Sequence, residues 1–590
     1  MGEKSVLQYL QEFSEVFDRM VREVLARNLG GELDATAAPC LSEKLSALLA
    51  SGVQVDTASL LAKQMAFEEK QGELWQSASK AMMGEKLEPV ISEAPGDKRF
   101  KDSDWSDNPV YSYLKQSYLL NSQMLQSLVD SLTFSDPKAA EQVRFYTRQY
   151  INSVSPGNHL LTNPEVCREI IATQGQSLVK GAENFMRDLE QSPAEAFRIT
   201  QTDPTAFTLG KDLATTAGEV VFENDLIQLI HYVPMGETVY QRPVLITPPF
   251  INKYYILDLD AKKSLVRWLL SKGYAVFIIS WVNPDASLAA KDFGCYMKEG
   301  PLAALDVVQA ITGADKVNMA GFCVGGTLLA TTAAFLKARG EERINSLTCL
   351  TTLLEFSEPG EVGNYLSEQM LPLLEQSAER KGVLDGRIIG LSFSLLRENN
   401  LFWSYFIHNY LKGKDPIPFD ILHWNSDPTH CTVACLKQYV HSTYRDNQLQ
   451  FPGGLTIDGV EIDLAKIQAP AYFLSTLADH IVLWQGAYRS SQLLSGPVRF
   501  VLAGSGHLAG VINPEDGGKY PHWINDAERV PESASAWFEG AQQHEGSWWP
   551  DWERWMAPLS GEQVKAQLPG EHPDYPALQA APGSYVKVRI

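Results

Sequence analysis

No stretch of this sequence is expected to cross a membrane. The uncharged apolar run Tyr274 to Val282 has the length of a buried strand and falls far short of the ~20 residues a spanning helix needs. A secretory signal is not expected either, because MGEKSVLQYLQEFSEVF mixes acids among its apolar residues instead of following a basic start with an unbroken apolar run. The chain is therefore expected to stay in the cytoplasm. Basic blocks are missing too: 50 basic against 71 acidic residues give a formal net charge of −21, which argues against nucleic acid, since phosphate backbones select clustered Lys and Arg. There is no Cys-x-x-Cys pair. The seven cysteines (Cys40, Cys167, Cys295, Cys323, Cys349, Cys431 and Cys435) are odd in number and scattered, so reduced thiols are expected, with no metal site and no disulfide framework. Without any long biased tract, a composition of 45% hydrophobic and 21% charged residues predicts a packed, ordered protein.

What is present has the size for more than one hydrophobic core, since 590 residues exceed what one core ordinarily serves. Residues 1–90 read as a helical segment with Val6, Leu10, Phe13, Phe17 and Val21 on one face. Residues 91–215 read as a second helical domain rich in aromatics such as Phe100, Trp105, Tyr118 and Phe145. From about 216 the pattern changes to β-rich runs alternating with helical ones, which predicts an α/β fold with a doubly wound, mostly parallel sheet. Strands are expected at Pro243 to Ile246, Ala275 to Ile279, Val317 to Met319, Ser346 to Thr351, Ala471 to Ser475 and Arg499 to Leu502. This core occupies 216–355 and 471–590. Between its halves, 356–470 lacks the alternation and is expected as a cap over the carboxyl edge of the sheet, where open α/β folds bind ligands. The aromatic run Gly546 to Trp555 is expected to pack the C-terminal part onto the body.

The segment with chemical content is Lys316-Val-Asn-Met-Ala-Gly-Phe-Cys-Val-Gly-Gly-Thr-Leu-Leu-Ala330. It reads strand, sharp turn, helix, and fits the nucleophile elbow G-x-S-x-G with Cys323 in the serine's place. Such a turn strains the nucleophile's backbone and brings strand and helix so close that the flanking positions need glycine. A helix N-terminus also favours thiolate over thiol. On this α/β-hydrolase reading an acid and then a histidine follow along the chain. Asp479 stands after the strand ending near Ser475, and His507 lies in the glycine-rich loop after the last strand. His480 is a rival base, but it neighbours the acid instead of occupying the final loop. The oxyanion hole is expected to use the backbone N–H of Val324 and one from the loop Thr247 to Lys253, at Ile251 or Asn252.

Several strings resemble one family, the class I polyhydroxyalkanoate synthases: PPFINKYYILDL (248–259), GFCVGGT (321–327), TTLLEFSEPGE (351–361), FDILHWNSD (419–427), DHIVLW (479–484), SGHLAGVINP (505–514) and GSWWPDW (546–552). RFKDSDW (99–105) and FYTRQYINSVSPGNHLLTNPE (145–165) extend the resemblance toward the N-terminus. The resemblance implies an α/β-hydrolase fold and an acyltransferase that polymerises (R)-3-hydroxyacyl-CoA into a storage polyester, releasing CoA, with Cys323, Asp479 and His507 as the catalytic set. It further implies a homodimer at the surface of polyester granules and no cofactor, CoA thioester being the substrate. A cysteine thioesterase on the same fold, or a silent granule-surface protein, is the alternative.

Overall fold

The computed structural model describes residues 54–85, 88–193, 196–368, 370–526 and 531–590. The helical face expected around Val6 to Val21 lies outside them. The chain forms two compact units, one holding the described residues up to Gln201 together with Phe393–Ile417, the other Thr202–Ser392 with Pro418–Ile590. The stretch 356–470 is thus divided between the units. No described helix is long and apolar enough to cross a membrane.

The first unit is helical: α1 (Thr57–Met82), α2 (Pro109–Asp130), α3 (Pro137–Ser153), α4 (Pro164–Ala172) and α5 (Gln176–Gln191). Three of these begin with the same device. Asn108, Asp136 and Asn163 each accept a backbone N–H of the first turn, and each is followed by proline. The side chain satisfies an orphan donor, and the proline ring presets the helical φ at a position that needs no N–H. Helix α5 reverses the usual polarity. It buries Ser177, Gly181, Asn184 and Asp188 and exposes Val179, Phe185, Met186 and Leu189. The buried side is held by hydrogen bonds: Asn184 donates to the carbonyls of Asn409 and Lys414 at 3.1 and 3.2 Å, and Tyr410 donates to Asp188.

The second unit is built on an 11-stranded sheet. Its strands in chain order are β1 (Gly218–Glu223), β2 (Ile227–Tyr232), β3 (Val244–Thr247), β4 (Val276–Trp281), β5 (Val317–Phe322), β6 (Ile344–Leu350), β7 (Ala471–Thr476), β8 (Val498–Ala503), β9 (His522–Ile524), β10 (Gln542–His544) and β11 (Gln579–Ala580). They lie in the order β10-β9-β8-β7-β6-β5-β3-β4-β2-β1-β11. The six strands from β8 to β4 in that order are mutually parallel, and antiparallel strands complete both edges. This is the α/β-hydrolase arrangement expected from the sequence. The parallel strands read as continuous apolar runs because both faces are covered. Alternate residues feed two cores: Leu245, Phe277 and Met319 enter one, while Ile246, Ile278 and Ala320 enter the other.

Helix α6 (Leu265–Ser271) packs into the second core and is capped by Ser264, whose hydroxyl accepts from the Arg267 N–H. It ends before Gly273, at φ +86°, the left-handed turn that a glycine tolerates best. Further along come α7 (Ala303–Thr312), α8 (Val324–Ala338), α9 (Val433–Val440), α10 (Trp484–Ser491) and α11 (Trp549–Met556). The aromatic C-terminal run becomes α11, with Trp548, Trp549 and Trp552 each at most 1% exposed. Their indole N–H groups are satisfied by the Gly510 and Val511 carbonyls and by Thr348. This pins the loop after β8 from behind. Each fully buried side chain of this size contributes roughly 1.5–3 kcal/mol.

Candidate active site

The turn between β5 and α8 is a nucleophile elbow. Cys323 has φ +53° and ψ −126°, a backbone state that costs a non-glycine residue on the order of 1–3 kcal/mol. Neighbouring contacts hold it there. The Cys323 N–H donates to the Leu350 carbonyl at 2.8 Å, and the Thr352 hydroxyl lies 3.2 Å from the Cys323 carbonyl oxygen and 3.0 Å from that of Leu350. The glycines are sterically required. A Cβ on Gly325 would sit 2.3 Å from the Thr247 carbonyl oxygen, one on Gly326 2.0 Å from the Thr352 hydroxyl, and one on Gly321 2.5 Å from the Gly326 Cα.

Asp479 and His507 converge on this turn from the ends of β7 and β8. The Asp479 Oδ2 lies 2.7 Å from His507 Nδ1, and both residues are buried. The other carboxylate oxygen, Oδ1, accepts the N–H groups of Ile481 and Val482 at 2.9 and 3.0 Å. His507 stacks on Phe322, with centroids 5.5 Å apart. Its loop turns through Ser505 at φ +74°. His480 takes no part in this pair; its carbonyl accepts the Glu361 N–H at 3.1 Å and so ties the acid's loop to the segment after β6.

Burial alone pushes the His507 pKa down, but the charge of Asp479, that of Cys323 and hydrogen bonds to both outweigh it, raising the value to about 10. The thiol therefore faces a base of high proton affinity. The linkage has a definite sign. The folded value lies above the ordinary ~6.5 of imidazole, so this stabilisation is fully present below that pH and is lost as pH rises toward 10. Melting temperature measured from pH 7 to 10 is expected to fall in the wild type. Asp479→Asn is expected to start lower and fall less over the same range.

The backbone N–H of Val324 stands at the N-terminus of α8, where the first N–H groups have no acceptor within the helix. Opposite it, the loop after β3 presses on the elbow: the Pro248 carbonyl abuts Gly325 and accepts the Trp281 indole N–H at 2.9 Å. Farther along this loop the Ile251 carbonyl accepts the Thr429 N–H at 3.0 Å, and Asn252 pairs with Pro428. Ile251 thus sits in a peptide fixed on both sides. Sequence reasoning missed the aromatic wall near the thiol. Phe356, Tyr439 and Tyr444 meet edge to face, with centroids 5.0–6.4 Å apart, and Tyr439 also meets Phe250 and Phe293. Burial raises the pKa of both phenols, and the charge of Cys323 adds to the rise in each. Phe356, Tyr439 and Tyr444 all come from the segment 356–470, read only as a cap, whose lack of periodicity gave no reason to single them out.

The parallel core, the strained turn and the acid and histidine at successive strand ends define an α/β-hydrolase-class enzyme with cysteine at the nucleophile position. Comparison with known proteins narrows the class. Residues 96–269 match the family described as poly-beta-hydroxybutyrate polymerase (PhaC) N-terminus, and residues 254–514 match the alpha/beta hydrolase fold. The chain is 41% identical to the poly(3-hydroxyalkanoate) polymerase subunit PhaC of Cupriavidus necator, covering 91% of this chain and 90% of that one. It is 42% identical to the poly(3-hydroxyalkanoate) polymerase of Methylorubrum extorquens, covering 88% and 85%. A hydrolase from Pseudomonas aeruginosa PA01 is similar at a TM-score of 0.31 and 13% identity, over 50% of this chain and 92% of that one. The chain belongs to the poly(3-hydroxyalkanoate) polymerase family and is an acyltransferase.

Proposed function

We propose that the protein polymerises (R)-3-hydroxyacyl groups from their CoA thioesters into a polyester, releasing CoA, through an acyl-Cys323 intermediate. The observation that carries the reading is the convergence of a strained cysteine elbow with the buried His507–Asp479 pair. His507 takes the thiol proton and the Cys323 sulfur attacks the thioester carbonyl. The N–H groups of Val324 and Ile251 stabilise the tetrahedral oxyanion. The carbon–sulfur bond to CoA then breaks, and the proton on His507 leaves with the CoA thiolate. In the second half, His507 takes the proton of a 3-hydroxyl, whose oxygen attacks the acyl-Cys323 carbonyl and forms one ester while the thiol is regenerated. Asp479 orients the ring in this reading, because both its oxygens are already engaged by His507, Ile481 and Val482.

A sulfur nucleophile suits this chemistry, since exchange between thioesters is nearly balanced and the acyl group stays reactive toward a hydroxyl. Water would end the chain, and the wall of Phe356, Tyr439 and Tyr444 is suited to excluding it. In the same reading, part of 356–470 is a cap, the chain acts as a homodimer, and it works in the cytoplasm at the surface of its own insoluble product without a cofactor. These points rest on the family. The test is incubation with 3-hydroxybutyryl-CoA and, separately, its six-carbon homologue. Insoluble polyester with stoichiometric CoA release is expected from at least one of them; free hydroxy acid alone would mean a hydrolase.

A further inference from the structure

Two residues beyond Ile251, the side chain of Lys253 is 2% exposed, and its ammonium lies 3.7 Å from Asp427 Oδ1, a carboxylate only 1% exposed. A buried ammonium is costly unless it is both paired and hydrogen-bonded. Asp427 supplies the charge, and the hydrogen bonds go to the far end of this sequence: Lys253 Nζ donates to the Val586 carbonyl at 2.9 Å and to that of Val588. The tail adds a second cation, Arg589 Nε, 3.6 Å from the same Asp427 oxygen, while the Tyr255 hydroxyl donates to the other at 3.2 Å.

This cluster is continuous with the loop that presses on the elbow. The Lys253 carbonyl accepts the Trp424 indole N–H at 2.7 Å, Asn252 pairs with Pro428, and the Ile251 carbonyl accepts from Thr429. The tail is anchored independently, through the Ser584 and Tyr585 N–H groups on Gln228 Oε1 at 3.0 and 3.1 Å and the Tyr585 hydroxyl on the Asn224 carbonyl at 2.8 Å. Residues far apart in sequence, 248–253, 424–429 and 584–590, therefore close on one buried charge pair. Of these only Ile251 faces the reacting atoms; Lys253 and Asp427 act through it.

We infer that Lys253, clamped by the Val586 and Val588 carbonyls, is a positioning residue that fixes the 248–253 loop so that the Ile251 N–H faces the forming oxyanion. The inference rests on the oxyanion assignment given above. Without the clamp the elbow, His507 and Asp479 remain in place, but the second donor drifts.

The test uses full-length protein and 3-hydroxybutyryl-CoA, with kcat and KM from CoA release and, in parallel, the rate of Cys323 alkylation by iodoacetamide. Lys253→Met is expected to lower kcat about 10- to 100-fold, the scale of a small misplacement of a catalytic group, with KM and alkylation rate little changed. Because Lys253→Met strands a buried carboxylate and is at risk of misfolding, the double variant Lys253→Met/Asp427→Leu removes the pair together and is expected to fold with the same kcat loss. Full kcat in either folded variant overturns the inference, as does slowing of alkylation in step with kcat. Ile251→Pro deletes the N–H itself and separates the two claims. Full kcat in Ile251→Pro overturns the donor assignment. Loss of kcat there, beside full kcat in folded Lys253→Met, overturns the positioning role alone.

Discussion

Replacing Cys323 with alanine is expected to abolish CoA release, by a factor on the order of 10⁶ as in nucleophile deletions of other covalent enzymes, while leaving the fold intact. Alanine removes only the sulfur, and the hydrogen bonds that hold the elbow, from the Cys323 N–H to Leu350 and between Thr352 and the Cys323 carbonyl, involve backbone atoms of residue 323. Circular dichroism and melting temperature close to wild type, with no radiolabelled acyl group retained on the protein, are the expected results. Cys323→Ser sharpens the point. An oxygen ester lies lower in energy than a thioester, so the serine variant is expected to release at most one equivalent of CoA and to make no polymer. Sustained polymer formation by Cys323→Ala would remove residue 323 from the mechanism; by Cys323→Ser it would remove the need for sulfur there.

His507→Gln is expected to lower kcat by about 10²–10⁴-fold, the usual worth of a positioned general base. Glutamine keeps a polar group next to Asp479 but cannot accept the thiol proton and return it. The pH–rate profile separates this from a packing defect. In the variant, hydroxide becomes the only base available and activity is expected to climb steadily with pH, whereas in wild type the histidine, raised to about 10 by Asp479 and Cys323 against the cost of burial, already holds the proton opposite the Cys323 sulfur at neutral pH and needs no hydroxide. A variant profile parallel to wild type at reduced height would point to damage elsewhere.

Much of the core was legible in the sequence because its parallel strands are short apolar runs punctuated by glycine and followed by amphipathic helices. Thus β3 to β8 fall where the alternation placed them. The antiparallel strands were less visible for a physical reason. In β2 the polar Gln228 and His231 interrupt the apolar run although every residue from Ile227 to Tyr232 is buried, and β9 to β11 are two or three residues long. At the site, Cys323, Asp479 and His507 announce themselves through local motifs, since a strained turn demands Gly321, Gly325 and Gly326 close by. Lys253 and Tyr444 carry no such mark, because their roles arise from contacts across more than a hundred residues of chain. Helix α5 shows the opposite failure: a strong apolar stripe that points outward, where periodicity alone would have turned it in.

The order in which the sheet is completed bears on how the protein is made. Strand β1, formed by Gly218–Glu223, receives its outer neighbour only from Gln579–Ala580, and the buried ammonium of Lys253 receives its carbonyl partners only from Val586 and Val588. During synthesis from the N-terminus, the nascent chain therefore carries an open strand edge until Gln579–Ala580 leave the ribosome. An open edge is a template for aggregation. The interval between translating residues 218 and 580 is when a growing chain most needs chaperone cover.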